Sequence, residues 1–221
     1  MKVPRKSKTR INPDEGEHVG RCIRIVDMGT QHSERYGNDN RKVALTFELS
    51  DQKAIFDEDK GEQPFIIGRE FTMLMTKKSG LRKFLFPWVG EKIDDDEFDL
   101  KVLLGKACRI FVKLDSDNDD KIEYANLDYI RPLIKGTKVP KNENDLILFD
   151  LDEFSEEVYD SLHDWEREKI GDSPEFLDMA EGATKETEIG IDEAFEQAEE
   201  ADELFSGESA VPDDEKEDFP F

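Results

Sequence analysis

Arg109, Phe111 and Lys113 stand two residues apart, interleaved with the apolar residues Cys108, Ile110, Val112 and Leu114. In an extended strand this alternation sends the apolar set to one face and a cation–aromatic–cation row to the other. That row suits an unpaired nucleic-acid strand. A ring stacks on a base whatever its identity, and flanking charges neutralise phosphates. The competing expectation is a Phe111 ring turned inward beneath a helix, with two ordinary surface charges beside it.

Weaker candidates for the same chemistry lie elsewhere. Arg21 and Arg24 flank apolar residues of a first strand and fall on opposite faces if that strand is regular. Arg35-Tyr36 and Arg41-Lys42 bracket a polar loop. Lys77, Lys78, Arg82 and Lys83 cluster near Trp88 as a candidate basic rim, or as a solvated helix face. Tyr124 and Tyr129 are five residues apart, so regular alternation puts them on opposite faces and exposes one of them.

Catalytic chemistry finds no support. His18, His32 and His163 are scattered, and Cys22 and Cys108 lie far apart with no CxxC, so no zinc site is formed and buried reduced thiols are expected. The acidic run from Asp115 has Asp120 and Asn126 where a calcium loop needs Gly and Glu, and it joins two strands. A hairpin loop explains it better. No nucleophile motif or phosphate loop is present, so no enzyme activity, catalytic residue, metal or cofactor is expected.

Charge divides the chain. The formal net charge is −24, yet residues 1–134 carry 24 Lys/Arg against 25 Asp/Glu. Residues 172–221 carry 19 Asp/Glu against Lys185 and Lys216. The overall acidity therefore says little about the part that folds. Residues 1–13 form a basic arm with Lys2, Arg5, Lys6, Lys8 and Arg10, either phosphate-seeking or simply solvated. Residues 14–134 carry the core patterns. Residues 135–171 form a linker plus one amphipathic helix, in which Phe154, Val158, Leu162 and Trp165 make a stripe for docking on the core or, in a homo-oligomer, on a second copy. Residues 172–221 are too acidic and too poor in large apolar groups to bury a core and are expected to be disordered. The arm lacks the apolar core of a secretory signal, and no apolar run reaches the ~18 residues of a membrane span. The expected location is the cytoplasm, a host's cytoplasm if the chain is phage-encoded.

Period-2 patterns place strands at 18–29, 41–50, 64–76, 107–114 and 121–133, with Gly68 as a bend or bulge. Loops are expected over 29–40 and 52–63. The period changes over 79–89, where Ser79 can cap a short helix that Pro87 ends, and Asp94-Asp95-Asp96 opens a further apolar helical run. Three strands, a helical insertion and two strands are the order of an OB-fold-like five-stranded Greek-key barrel, mainly β.

The chain closes on Asp213, Asp214, Glu215, Glu217 and Asp218, then Phe219-Pro220-Phe221. This acidic run with a Pro-Phe end resembles the C-terminal tip of bacterial single-stranded DNA-binding proteins. Phe219 stands where a branched aliphatic is common, and Lys216 interrupts the acids. With the expected barrel core, the chain resembles a bacteriophage-type single-stranded DNA-binding protein. The resemblance implies single-stranded DNA as partner, with roles in DNA replication, recombination and repair. It also implies a docking tip whose last Phe fills an apolar pocket, while its carboxylate and the acids meet basic groups on helicases, nucleases, primases or mediators. Pro220, with φ fixed, lowers the entropy lost on docking. The alternative is an acidic interaction adaptor or DNA mimic with no DNA affinity of its own.

Overall fold

Val43, Leu45, Phe47 and Leu49 alternate along one strand and are almost solvent-free, which puts the core on one side of the sheet they build. In the computed structural model, which describes residues 11–34, 37–94, 98–116 and 123–180, that strand is β2 (Asn38–Asp57). It pairs with β1 (Gly16–Ser33) and β3 (Gly61–Thr72). Helix α1 (Gly80–Val89) and two 3-10 turns, Gly90–Asp94 and Leu100–Leu103, come next. β4 (Ala107–Ser116) and β5 (Glu123–Arg131) follow, giving the antiparallel order β3-β2-β1-β4-β5. Arg69 of β3 donates from Nη1 to the Leu127 carbonyl of β5 at 3.2 Å, across the remaining seam. The protein is therefore mainly β, an OB-like five-stranded barrel that is nearly closed, with a helical insertion between β3 and β4.

The strands run further than alternation predicts. β1 and β2 stay paired out to Ser33 and Asn38, so most of the expected loop over 29–40 is a hairpin. The polar stretch over 52–63 likewise continues the β2–β3 ladder, from Lys53 opposite Pro64 to Asp57 opposite Gly61. There Ile55 and Phe56 are about half exposed, so neither face of the ribbon is sealed and no alternation is demanded. Gly68 is in register with Thr46; the bulges fall in β1, in β2 and in β5 instead.

Ser79 caps α1, accepting from Arg82 N at 3.3 Å. Pro87 lies inside that helix instead of ending it, and Gly90 at φ 75° closes it three residues later. Asp94 ends a 3-10 turn where a helix start was expected, and Asp95 and Asp96 lie outside the described residues. Cys22 and Cys108 are free and buried; desolvation pushes the Cys22 thiol up to about 12 and Cys108 in the same direction.

Beyond β5 the chain returns as a strap over the outer side of β1 and β2. β6 (Ile147–Phe149) pairs parallel with β1 at Arg24–Val26. The single amphipathic helix expected within residues 135–171 is two helices, α2 (Glu156–Asp160) and α3 (Asp164–Gly171). Ser155 caps the first, and Glu166 accepts from His163 N at 2.9 Å to start the second. Leu162 is buried at the break while Trp165 is 47% exposed, so the four-residue stripe is not one face. Leu151, Leu162, Phe149 and Ile170 instead pack on Val26, Met28 and Ala44. Gly29 has φ +65°, and a Cβ there would stand 2.5 Å from Ser173, so glycine is required where the strap crosses. Thr30 donates from N and Oγ1 to the Glu175 carboxylate at 2.9 and 2.5 Å. The compact unit runs through Phe176. No helix among the described residues is long and apolar enough to cross a membrane.

Candidate nucleic-acid interface

β4 and β5 pair with Phe111 opposite Tyr129 and Val112 opposite Leu127, so Asp128 is the extra residue of a bulge. Leu127 and Ile130 are three apart and both buried, which a regular strand does not allow. The same phase shift corrects the expected placement of the tyrosines. Tyr124 and Tyr129 share the outer face, together with Phe111.

Read as cross-strand pairs, that face runs Arg109–Arg131, Phe111–Tyr129, Lys113–Asn126 and Asp115–Tyr124. The Phe111 and Tyr129 rings stack with centroids 5.0 Å apart and planes at 12°. The Arg131 guanidinium lies over the Tyr129 ring, 5.2 Å from its centroid. Phe111 and Tyr129 are half-buried, so the expected outward ring at 111 is observed but leans on a neighbour. From the Asp115–Tyr124 pair to the Arg109–Arg131 pair the ladder spans about 20 Å at strand rise.

Its electrostatics are uneven. Arg109 and Arg131 stand directly opposite, an unfavourable arrangement for like charges. Arg109 meets Glu17 at 2.9 Å and the Pro132 carbonyl at 3.1 Å. Arg131 has no carboxylate partner among the described residues. At the other end Lys113 bonds Asp115 at 2.6 Å, and Asn126 donates to the same carboxylate at 3.0 Å. The Lys113 bond, and then the Asn126 bond, hold the Asp115 carboxyl below its ordinary range; the Lys113 ammonium is correspondingly raised. The cationic pole is thus the Arg109–Arg131 end.

No protein-family model matches the chain, and no curated protein matches its sequence. The geometry of this face is what speaks to function.

The remaining sequence candidates are not gathered on it. A bulge at Ile23 brings Arg21 and Arg24 onto the same outer side of β1, but the strap engages both. Arg21 donates to the Gly105 and Pro140 carbonyls at 2.6 and 3.0 Å, and Arg24 donates to Glu166 at 2.6 Å. Arg41 is held by Asp27 and by Asp152, and the Asp27 bond raises its pKa. Arg82 makes a forked pair with Asp94 and lies over Phe86. Trp88 packs edge-on against Phe47 at 6.1 Å and donates to the Ala107 carbonyl, so it wedges α1 onto the barrel. Lys77, Lys78 and Lys83 are exposed at the β3–α1 junction and form no ion pair with a described residue. Tyr36, the arm over 1–10 and the tip from Asp213 to Phe221 lie outside the described residues.

Strict alternation missed Tyr129 and Arg131 as members of the site. The signal was present: Leu127 and Ile130 are both strongly apolar at a spacing of three inside a strand pattern, and only a bulge buries both.

Proposed function

We propose that this protein is a non-catalytic single-stranded DNA-binding protein, which coats exposed strands during replication, recombination or repair and recruits partner proteins through its acidic C-terminal tip. What supports the DNA part is the β4–β5 ladder, where a stacked aromatic pair lies between two opposed arginines, of which Arg131 has no carboxylate partner among the described residues, and a lysine. Bases stack on Phe111, Tyr129 and Tyr124, while Arg109, Arg131 and Lys113 take phosphates. The opposed arginines favour the same reading, because a phosphate between them turns a repulsion into two attractions.

Residues 172–221, with 19 acids against two lysines, are a polyanion in the same chain as this face. Their high effective concentration makes them a competitor for DNA. An anisotropy titration of labelled oligo-dT with the full chain and with residues 1–180 tests both ideas. The shortened chain is expected to bind more tightly at low salt, with the gap closing as salt rises. Equal affinities at low salt would remove the competition. No binding by either chain would remove the DNA reading and leave an acidic adaptor or DNA mimic. The cut belongs after Ala180 because Ser173, Glu175 and Phe176 are part of the compact unit.

The tip makes a separate prediction. Deleting Phe221 is expected to abolish capture of partner proteins from a cell extract while oligo-dT affinity stays the same. Identical captured sets with and without Phe221 would sink the recruitment role.

A further inference from the structure

At the base of the β1–β2 hairpin, where β3 gives way to α1, the surface holds a polar pocket of about 340 Å³. That is the low end of the ~300–1,000 Å³ of small-ligand sites and leaves room for a phosphate group. Asn38, Asn40 and Lys42 stand two apart on β2 and share one face. Thr72 of β3 lies opposite Lys42, and Ser79, the cap of α1, closes the pocket together with Gly80. The described lining carries hydroxyls, amides and one ammonium, but no carboxylate and no aromatic ring. Lys42 gives one of its three N–H donors to Thr72 Oγ1 at 2.7 Å, so two remain.

The charge around this pocket is one-sided. Lys77 and Lys78 precede the cap, and Lys83 follows Gly80 by three residues, one turn along the same side of α1. All three are exposed, and with Lys42 they form no ion pair with a described residue. Neighbouring acids are engaged elsewhere. Glu70, two residues before Thr72, pairs with Lys169. Asp39 alternates to the other face of β2 and meets His32 at 2.6 Å. Asp94 is held by Arg82 at 2.6 Å. Glu34, at the turn beyond Ser33, is not among the lining residues and is one acid against four lysines. The first turn of α1 holds Arg82 and Lys83 and no acid, although a helix dipole favours negative charge there. Its Gly80 and Leu81 N–H groups have no intrahelical acceptor. Four unpaired ammonium groups beside a pocket of donors suit a row of phosphates, and backbone contacts of this kind do not require the bases to be unpaired.

We propose that this pocket and its lysines hold the phosphate backbone of nucleic acid, apart from the β4–β5 ladder and without regard to base pairing. One phosphate lies against Lys42 and the Gly80 N–H, and Lys77, Lys78 and Lys83 neutralise its neighbours along the chain. The ladder's rings need exposed bases and this face does not, so a single strand and a duplex both bind here. The proposal rests on the nucleic-acid reading of the protein but not on the stacking rings.

The test titrates the full chain at low salt with labelled oligo-dT and with a labelled duplex of the same length. Lys77→Gln with Lys78→Gln is expected to weaken both roughly 5-fold or more and to lower the oligo-dT salt slope by about 1.4, the value for two phosphates on a single strand. Lys42→Gln is expected to weaken both as well, because Lys42 is the pocket's own cation. Lys83→Glu puts an acid in the first turn of α1, so it is expected to raise the urea midpoint while lowering both affinities. A lysine with only a structural role would not give that split. Phe111→Ala is expected to weaken oligo-dT alone. If Phe111→Ala acts and the lysine changes leave both affinities unchanged, the phosphate site is overturned while the ladder stands. If the lysine changes act and Phe111→Ala does not, the ladder fails while the phosphate site stands. An effect of Lys77 and Lys78 without one of Lys42 overturns the pocket as the place of binding. No duplex binding by the parent overturns the indifference to base pairing. A thermal midpoint that inorganic phosphate raises in the parent but not in Lys42→Gln, with both DNA affinities intact in that variant, assigns the pocket to free phosphate and overturns the backbone reading.

Discussion

Replacing Phe111 and Tyr129 together by Ala is expected to remove most of the affinity for oligo-dT. Stacking of a base on one ring is worth ~1–3 kcal/mol, or roughly 5- to 150-fold in affinity per ring. The two rings stack on each other, so each also presents the other, and their losses are expected to be non-additive. Because both rings lie outside the core cluster, the double variant should still unfold cooperatively. Arg131→Gln provides the companion measurement. It removes a like charge facing Arg109 and a cation over Tyr129, so the effects on folding oppose each other and stability should move by less than about 0.5 kcal/mol. Binding should weaken, and the log–log salt slope should fall by about 0.7, the value for one phosphate on a single strand. If the double alanine variant binds as the parent does, the ladder is a structural pair and the site lies elsewhere.

That ladder was half visible in the residue pattern. The run Cys108–Leu114 alternates without interruption, so its register and the outward course of Arg109, Phe111 and Lys113 follow directly. β5 was harder, because the bulge at Asp128 shows only in the three-residue spacing of Leu127 and Ile130 and shifts every later side chain to the other face. The same failure at Ile23 hid the shared face of Arg21 and Arg24. What the arginines then do was out of reach, since their partners Pro140 and Glu166 lie more than a hundred residues away along the chain. Glu48 makes the same point. It sits in a clean alternating strand as a solvent-facing acid, yet it is 1% exposed because the N–H groups of Glu143 and Asn144 fold over it. Local pattern reports the barrel, and the long return of the strap decides which outer faces remain open.

The strap has a mechanical consequence for the site. OB barrels often bind oligonucleotides on the strand 2–3 face. Here the outer side of β1 and β2 is occupied by β6, α2 and α3, so the open sheet surface carrying aromatics is that of β4 and β5. Arg24 and Glu166 tie the strap to β1, paired at 2.6 Å with side chains 12% and 1% exposed. Glu166→Ala leaves a guanidinium with no counter-charge in a dry contact and also removes the acceptor for His163 N. The expected loss is ~3–5 kcal/mol, read from the urea midpoint at constant slope. Replacing both partners, as Arg24→Met with Glu166→Leu, should recover most of it, because burying two charges gains little over well-packed apolar groups. If the strap is integral to the barrel, Glu166→Ala lowers one cooperative transition. If it is a separable cover, an early transition appears and exposes Val26, Met28 and Ala44 to a hydrophobic dye while the barrel persists. Oligo-dT affinity distinguishes the two in function. An integral strap leaves affinity unchanged in the folded population, whereas a cover that competes for nucleic acid raises it by uncovering Arg21 and Arg24. A midpoint unchanged by Glu166→Ala would mean that the β6 ladder and the apolar contacts around Phe149 and Ile170 hold the strap without this ion pair.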